Sequence, residues 1–167
     1  VNEPPVLNSI GSQSIDEGSP LTFTATATDP DLPANTLTFT LDSGAPAGAS
    51  ITPGGDFSWT PTEADGPNTF DVTVLVTDGA GEEDFETITI TVNEVNEPPV
   101  LAAIGDQTID EETLLAFAAS SSDPDDPANT FTYSLDAGPA GASITPGGDF
   151  SWTPAENEPG LGRGFVY

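Results

Sequence analysis

The sequence repeats itself, and the length of the repeat limits the folds open to it. Residues 1–7 (VNEPPVL) recur as residues 95–101, and residues 46–61 (PAGASITPGGDFSWTP) recur unchanged as residues 139–154. The offset between the copies is 94 residues at the first match and 93 at the second. That length fits one β-sandwich module and is far longer than a solenoid unit. The chain therefore holds two copies of one module.

The first copy consists of short runs in which apolar and polar residues alternate, separated by turn signals such as 53–56 (PGGD). Alternation with a period of two predicts strands that are buried on one face. The predicted strands include 14–17, 21–28, 37–41, 57–59, 70–77 and 86–92. About seven strands with turns at this spacing predict an all-β, immunoglobulin-like Greek-key sandwich, and no segment has helical periodicity. The period also predicts the inward side chains: Leu21, Phe23, Leu37, Phe39, Trp59, Val72, Val74, Ile88 and Ile90.

The second copy is incomplete. It has counterparts of the early strands, which we expect at 108–111, 115–119, 131–135 and 150–152. After Pro154 the sequence contains no counterpart of strands 70–77 and 86–92. We expect this copy to leave its sandwich open, with exposed strand edges. The predicted domains are a complete repeat at 1–94, an incomplete repeat at 95–157 and an aberrant tail at 158–167. We interpret the tail as a truncated or frame-shifted end, and the chain as a fragment of a longer array.

Charge restricts the possible partners. The chain has 28 acidic residues and one basic residue, for a formal net charge of −27. Nucleic acid and anionic membrane surfaces both require clustered Lys and Arg, so neither is expected as a partner. No apolar run approaches the length that spans a membrane. The absence of Cys, His and Met excludes disulfides, thiolate metal sites and imidazole bases. A strongly acidic chain favours binding of cations.

The segment that joins the two copies, residues 93–100 (NEVNEPPV), is stiff and rich in oxygen. It offers two carboxylates, Glu94 and Glu97, and two side-chain amides, Asn93 and Asn96. Its two prolines fix φ and remove two backbone donors. The joint is therefore a candidate cation site.

Three segments resemble known repeat families. Residues 23–31 (FTATATDPD) resemble the cadherin strand that ends in Asp-x-Asp, and residues 46–62 resemble Putative Ig repeats. Residues 74–79 (VLVTDG) are similar to both. The two copies thus resemble dystroglycan-type cadherin-like and Putative Ig repeats of large bacterial surface proteins. The resemblance implies tandem cadherin-like sandwiches.

The resemblance also implies calcium binding at the joint. In the cadherin family each joint takes its ligands from a linker, from the preceding module and from the Asp-x-Asp loop of the following one. Carried onto this chain, the implied calcium ligands are Glu17, Glu63, Glu94, Asn96, Glu97, Asp123, Asp125 and Asn129. Pro98 offers a backbone carbonyl, and Pro61 stands where the family has an acidic residue. Asp78 would serve a joint with an earlier module.

Several features also have a simpler structural interpretation. Asp-Pro-Asp forms turns without any ion, because Asp caps its own backbone and Pro presets φ. We favour calcium over this alternative. Trp59 and Trp152 could form a platform for sugars, although burial in the core is the more common fate of tryptophan. Asp29 and Asp31 could mimic a glycosidase pair, which we do not favour because the pair recurs in a turn.

Two functions from different classes remain open. The first is a non-enzymatic, calcium-binding adhesion or spacer repeat of a secreted or cell-surface bacterial protein. Its partners would be adjacent repeats of the same chain and a cell-surface protein or glycan. The second is an accessory, carbohydrate-binding sandwich of an extracellular hydrolase. A row of exposed aromatic side chains on one face would favour the second.

Overall fold

The computed structural model describes residues 1–156, which form two compact units. The first unit, called repeat 1 below, is Val1–Val95, and the second, repeat 2, begins at Asn96. The predicted tail at 158–167 lies outside the described residues. Across residues 1–156, no helix is long and apolar enough to cross a membrane.

Repeat 1 contains nine strands and one short helix. The strands are β1 (Val6–Leu7), β2 (Gln13–Asp16), β3 (Leu21–Thr24), β4 (Ala27–Thr28), β5 (Thr38–Leu41), β6 (Ser50–Ile51), β7 (Asp56–Trp59), β8 (Asn68–Thr77) and β9 (Glu83–Asn93). A single 3-10 turn, Glu63–Asp65, precedes β8. The sequence did not predict the two-residue strands β1 and β6, which are too short to show alternation. The all-β, immunoglobulin-like fold class is confirmed.

Two sheets face each other in repeat 1. One has the order β2-β9-β8-β5 and the other β3-β7-β6, while β1 pairs with β4 at the side. The long antiparallel hairpin β8–β9 runs in register from Asn68 opposite Val92 to Thr77 opposite Glu83. Strand β2 lies parallel to β9, with Asp16 opposite Asn93. The β8–β9 hairpin is thus the centre of the larger sheet.

The core lies between the two sheets and follows the predicted alternation. Val72, Val74 and Val76 of β8 are fully buried, while the residues between them are half-buried. All nine predicted inward side chains contribute to the core, of which Phe23 and Leu37 are half-buried. The alternating pattern therefore sufficed to predict the buried face of each strand.

The predicted strand 21–28 is in fact two strands that belong to different sheets. Strand β3 pairs with β7, whereas β4 pairs with β1. Between them, the Ala25 amide donates to the Gly55 carbonyl at 2.8 Å. Gly55 has a φ of +97°, and a side chain there would overlap the Ala25 carbonyl oxygen. The strand therefore changes sheet where the chain passes directly against Gly55, which explains why an unbroken alternation was misleading.

Repeat 2 has five strands in its described part: β10 (Val100–Leu101), β11 (Leu115–Ala118), β12 (Ser121–Ser122), β13 (Ser143–Ile144) and β14 (Asp149–Trp152). They form the sheet β11-β14-β13 and the pair β10–β12, which match β3-β7-β6 and β1–β4. Residues 96–156 contain no equivalent of the four-stranded sheet.

The strands predicted at 108–111 and 131–135 are wrong, since both segments are irregular. Their counterparts in repeat 1 are β2 and β5, whose sheet partners are β9 and β8. Strands form only where their backbone groups find a partner. Residues 96–156 contain no strands equivalent to β8 and β9, so neither segment has the neighbouring strand of its repeat 1 counterpart, although the Tyr133 amide donates to the Pro146 carbonyl at 3.1 Å. The prediction of an open second copy thus holds within residues 96–156.

Candidate functional site

Three glutamates meet at one end of repeat 1. Carboxylate oxygens of Glu17, Glu63 and Glu94 all lie within 4.8 Å of one another. We call this set the glutamate cluster. All three residues were predicted as calcium ligands.

Strand pairing brings two of these side chains together. Glu17 directly follows β2 and Glu94 directly follows β9, and the two strands are parallel neighbours. Both residues therefore lie at the same end of the sheet, where the two strands stop. The Glu17 amide donates to the Asn93 carbonyl at 3.1 Å, and the Val95 amide donates to Glu17 Oε1 at 2.9 Å.

The third member comes from the 3-10 turn, where Glu63 is the first residue. The turn is fixed by Asp65, whose Oδ2 accepts from the Thr62 amide at 2.8 Å and the Thr62 hydroxyl at 2.7 Å. This Thr-x-x-acid pattern is the usual reciprocal cap at the start of a helix. The cap holds Glu63 in place beside the two strand ends.

Glu17 is the most deeply buried member of the glutamate cluster. It is only 7% exposed, and its Oε2 is buried with no hydrogen-bond partner. A Cβ at Gly66 would overlap this same oxygen, so the Glu17 carboxylate packs closely against the Gly66 backbone. A buried carboxylate oxygen without a partner is costly, and a bound cation would satisfy it.

A second acidic cluster lies at the opposite end of repeat 1. Oxygens of Asp29, Asp31 and Asp78 are within 4.8 Å of one another, and we call this set the aspartate cluster. Asp78 follows the last residue of β8, whereas the glutamate cluster adjoins the first. Ten residues of strand separate the two clusters by roughly 30 Å.

Asp78 is held as an ionised carboxylate. Its Oδ2 accepts from Asn2 Nδ2 at 2.7 Å, and its Oδ1 accepts the amides of Ala80, Gly81 and Glu82 at 2.8, 2.7 and 2.9 Å. The Asn2 hydrogen bond, and then those backbone amides, hold the pKa of Asp78 below its usual value, against an opposing effect of burial. Asp78 therefore keeps its negative charge to a lower pH than an unperturbed aspartate does.

The Asp-Pro-Asp segment is a turn, as the simpler interpretation proposed. The Asp31 amide donates to Asp29 Oδ1 at 2.8 Å. The other oxygen of Asp29, Oδ2, is buried and makes no hydrogen bond. One carboxylate oxygen thus shapes the turn, and the second remains available to a cation.

The five ligands predicted in the second copy also come together. Asp125, only 5% exposed, accepts from the Glu97 amide at 2.9 Å and from Asn129 Nδ2 at 2.8 Å. Asn129 Nδ2 also donates to Asn96 Oδ1 at 3.2 Å, and the Asp125 amide donates to Asp123 Oδ1 at 3.0 Å. Asp123 Oδ2 is buried without a hydrogen-bond partner, like Asp29 Oδ2 in repeat 1. The eight predicted ligands therefore fall into two sets, one in each unit.

The sequence interpretation left out the equivalent residues around the aspartate cluster. The Glu3 amide donates to Asp31 Oδ1 at 3.2 Å, and Asn35 Nδ2 donates to Asn2 Oδ1 at 2.8 Å. Asn2, Glu3 and Asn35 are the repeat counterparts of Asn96, Glu97 and Asn129. Applying the repeat offset to the predicted ligands would have found them.

The donor atoms suit calcium. All are carboxylate or amide oxygens, the ligands preferred by hard cations. The only basic side chain, Arg163, lies beyond the described residues, so no Lys or Arg within residues 1–156 can neutralise either cluster. Unit charges 4.8 Å apart repel by about 1–3 kcal/mol per pair, depending on the effective dielectric. A divalent cation would convert that repulsion into attraction.

The tryptophans do not form a sugar platform. Trp59 is 2% exposed and Trp152 is 4% exposed. Their Nε1 atoms donate to the carbonyls of Ala47 and Ala140, both at 3.2 Å. Burial in the core, the favoured interpretation, is confirmed.

The sheet topology and the internal repeat define a class of protein, the tandem immunoglobulin-like repeat. The chain belongs to the Putative Ig domain family, whose model matches residues 4–93 and 98–162. No protein with a curated description matches the sequence.

Solved structures of cadherin fragments share the fold. Drosophila N-cadherin EC1-4 matches with a TM-score of 0.60 at 15% identity, over 94% of this chain and 42% of that chain. Human CDH23 EC21-23 matches with a TM-score of 0.59 at 21% identity, over 94% and 56%. Human Protocadherin-24 EC1-2 in its Form II crystal matches with a TM-score of 0.55 at 15% identity, over 95% and 83%. This chain thus spans about half the length of the first two structures, and the likeness concerns the fold.

Proposed function

We propose that this chain is a non-enzymatic, calcium-binding spacer or adhesion repeat of an extracellular protein. The observation that carries the proposal is the recurrence of buried carboxylate oxygens without hydrogen-bond partners, on Glu17, Asp29 and Asp123. Each lies in a cluster of oxygen ligands at the end of a repeat. The fold alone would not distinguish a passive spacer from an ion-dependent one.

The ion would be held by this chain's own carboxylates and amides. In repeat 1 the ligands are the glutamate and aspartate clusters, and in repeat 2 they are Asn96, Glu97, Asp123, Asp125 and Asn129. Calcium would neutralise the charge of each set and fix the strand ends that carry it. Adjacent repeats of the same chain are the proposed partners.

The proposed location follows from the expected affinity. Extracellular modules hold calcium at roughly 10⁻⁴–10⁻³ M. Sites of that strength are filled only where calcium is abundant, as it is outside cells. A cell-surface protein or glycan is the proposed adhesion target.

The accessory-domain alternative lacks the feature that would favour it. A sugar-binding face needs exposed aromatic side chains, and among the aromatic residues of 1–156 only Phe85 is exposed. A role in catalysis is equally unsupported, because the clusters lie in turns at the ends of strands. The repeat is therefore better explained as a structural unit.

Calorimetric titration of the whole chain with calcium and with magnesium tests the proposal. We expect calcium to bind with Kd values of roughly 10⁻⁴–10⁻³ M and more tightly than magnesium. At ten times the Kd, each site should stabilise its repeat by about 1.4 kcal/mol. Glu17→Gln and Asp29→Asn should each remove binding at one end of repeat 1, and Asp123→Asn should weaken binding in repeat 2.

The matched control is Asp106→Asn, which removes the same charge from an exposed position in repeat 2. A ligand role also predicts a crossover for Glu17→Gln. The variant should be more stable than the parent without calcium, because repulsion is relieved, and less stable with it. Equal binding of calcium and magnesium, or equal heats for Glu17→Gln and Asp106→Asn, would refute calcium binding and leave a passive spacer.

A further inference from the structure

The strand pair β2–β9 lies on the path along which tension would cross repeat 1. The two strands are parallel, with four residue pairs from Gln13 opposite Ile90 to Asp16 opposite Asn93. The chain enters at the first residue of β2 and leaves after the last residue of β9. These two points lie at opposite ends of a parallel pair, so tension would pull the strands past each other along their own axes. In such shear the hydrogen bonds between the strands are strained together rather than one after another.

The β2–β9 pair is also the weaker of the two pairs that hold β9. The sheet order is β2-β9-β8-β5, so among the described residues β9 is the only sheet neighbour of β2. Strand β9 itself pairs with β8 over ten residue pairs, from Asn68 opposite Val92 to Thr77 opposite Glu83. Because four pairs break before ten, the strength of β2–β9 sets the force at which the larger sheet opens.

Further hydrogen bonds extend the β2–β9 pair beyond its ladder. The Glu17 amide donates to the Asn93 carbonyl at 3.1 Å, and Glu17 Oε1 accepts from the Val95 amide at 2.9 Å. The Asn93 side chain crosses from β9 to β2, where its Nδ2 donates to Asp16 Oδ1 at 3.0 Å and to Ser14 Oγ at 3.3 Å. All of these bonds join the ends of the same two strands, so shear strains them together with the ladder.

The segment before β2 is held less firmly. Strand β1 pairs with β4 through two residue pairs. Three amides of the segment also donate to the carboxylates of Asp84 and Glu86. Tension applied to the start of repeat 1 reaches these contacts first, and their release frees residues 1–12 without separating the two sheets. The main resistance should therefore come afterwards, from β2–β9.

We propose that repeat 1 is a load-bearing unit and that the β2–β9 pair is its mechanical clamp. This role goes beyond that of a spacer, because a spacer needs only length, whereas a clamp lets the chain transmit tension without unfolding. The clamp consists of backbone pairing and the Asn93 side chain, so it works without a bound ion. A cation in the glutamate cluster would reinforce it, because Glu17 directly follows β2 and Glu94 directly follows β9. That reinforcement alone rests on the proposed calcium binding.

Single-molecule force measurements on the whole chain test the clamp. The sequence contains no cysteine, so two introduced cysteines determine where force is applied. Val1→Cys with Val95→Cys, at two exposed positions, places β2–β9 in shear. Ser12→Cys with Thr89→Cys applies force at the start of the pair, across the strands, and peels β2 from β9. In a chelator, we expect repeat 1 to stay folded at constant force about tenfold longer in shear than in peeling, since unfolding under force follows the unfolding rate.

The length released on unfolding identifies the element that resists. Separation of β2 from β9 frees residues 13–93, which span up to about 270–290 Å when extended. A smaller step of up to about 40 Å, from residues 1–12, should precede it in the Val1→Cys, Val95→Cys chain. The long step should carry the longer lifetime.

Asn93→Ala tests the side chain that crosses between the strands. It removes the bonds to Ser14 and Asp16, and it should shorten the lifetime in shear by about tenfold. The lifetime in peeling should change less, because peeling begins at the other end of the pair. Asn68→Ala is the matched control: it removes the same exposed side chain from β8, where Asn68 Oδ1 accepts from the Thr69 amide. The control should change neither lifetime by more than about twofold.

The chelated measurements alone decide the clamp. Equal lifetimes in shear and peeling, a main step far shorter than residues 13–93 allow, or equal effects of Asn93→Ala and Asn68→Ala would overturn it. Calcium is added afterwards. At ten times its Kd it should lengthen the shear lifetime by up to about tenfold in the parent and not in Glu17→Gln. A shear lifetime that calcium leaves unchanged would count against the proposed calcium binding, while the clamp would stand.

Discussion

Glu86 of β9 should be the most important single carboxylate for the stability of repeat 1 outside the two clusters. Its Oε2 accepts from the Ile10 amide at 2.7 Å, and its Oε1 accepts from the Gly11 amide at 3.0 Å and the Ser9 hydroxyl at 3.2 Å. These bonds fasten the loop between β1 and β2 to the centre of the larger sheet. Glu86→Gln removes the charge and points a donor group at backbone donors.

We expect Glu86→Gln to lower the free energy of unfolding of repeat 1 by about 2 kcal/mol. A hydrogen bond to a charged group contributes about 1.5–3 kcal/mol to stability. Because the loop between β1 and β2 is partly exposed, the three hydrogen bonds of Glu86 together contribute less than three times that amount. Urea unfolding of the whole chain at pH 7, followed through the amide signals of Val72, Val74 and Val76, measures the change. Glu82→Gln is the control, since it removes an equal charge from an exposed side chain and should change stability by less than about 0.5 kcal/mol.

The pH dependence gives an independent check. The backbone amides of Ile10 and Gly11 hold the pKa of Glu86 below its ordinary value of 4.5. A carboxyl whose pKa is lowered by folding stabilises the protein above the unfolded pKa, and that contribution is lost as pH falls through the folded pKa. The parent should therefore lose more stability than Glu86→Gln below about pH 4.5. Parallel pH profiles, or a loss at pH 7 no larger than that of Glu82→Gln, would refute the reasoning.

Three further substitutions test the core and the turns. Ile90→Ala, at a fully buried position of β9, should cost about 3 kcal/mol in urea unfolding, because it removes apolar contacts between both sheets and leaves a cavity; a cost under about 1 kcal/mol would contradict the packing. Gly18→Ala should cost about 1 kcal/mol because Gly18 has a φ of +68°. Gly44→Ala, with open space and no positive φ, should be neutral or slightly stabilising, and equal effects of the two would argue against backbone strain.

The sequence predicted what local alternation can predict. The buried face of each long strand in repeat 1 followed from period two, and the burial of both tryptophans followed from their amphipathic chemistry. The alternating pattern failed to predict strands whose formation depends on contacts with distant parts of the chain. Strand 21–28 breaks because Ala25 passes against Gly55, and segments 108–111 and 131–135 are irregular because residues 96–156 contain no strands equivalent to β9 and β8.

In the candidate site, too, the sequence predicted some features and only the structure shows the others. The repeat and the family resemblance identified the acidic residues. The structure brings oxygens of Glu17, Glu63 and Glu94 within 4.8 Å of one another and links the predicted residues of repeat 2 by hydrogen bonds. The sequence could not predict which carboxylate oxygens of Glu17 and Asp29 lack a hydrogen bond. For Glu17 this depends on close packing against Gly66, and for Asp29 it depends on which oxygen accepts from the Asp31 amide. A sequence names candidate ligands, but it does not say which of their oxygens are already engaged.

The pairing of β2 with β9, which completes the larger sheet, also brings the glutamate cluster together. Glu17 is buried at the end of β2 because β2 pairs with β9, and Glu94 extends directly from β9. In repeat 2 the counterpart of Glu17 is Glu111, which is exposed, and the segment before it is irregular. The pattern that makes a strand is nearly the same in both copies, so local propensity cannot explain the difference. A repeat therefore gains this cluster only when the β8–β9 hairpin is in place. It follows that adding the hairpin to repeat 2 should restore pairing at 107–110 and bring Glu111 to the position that Glu17 holds in repeat 1.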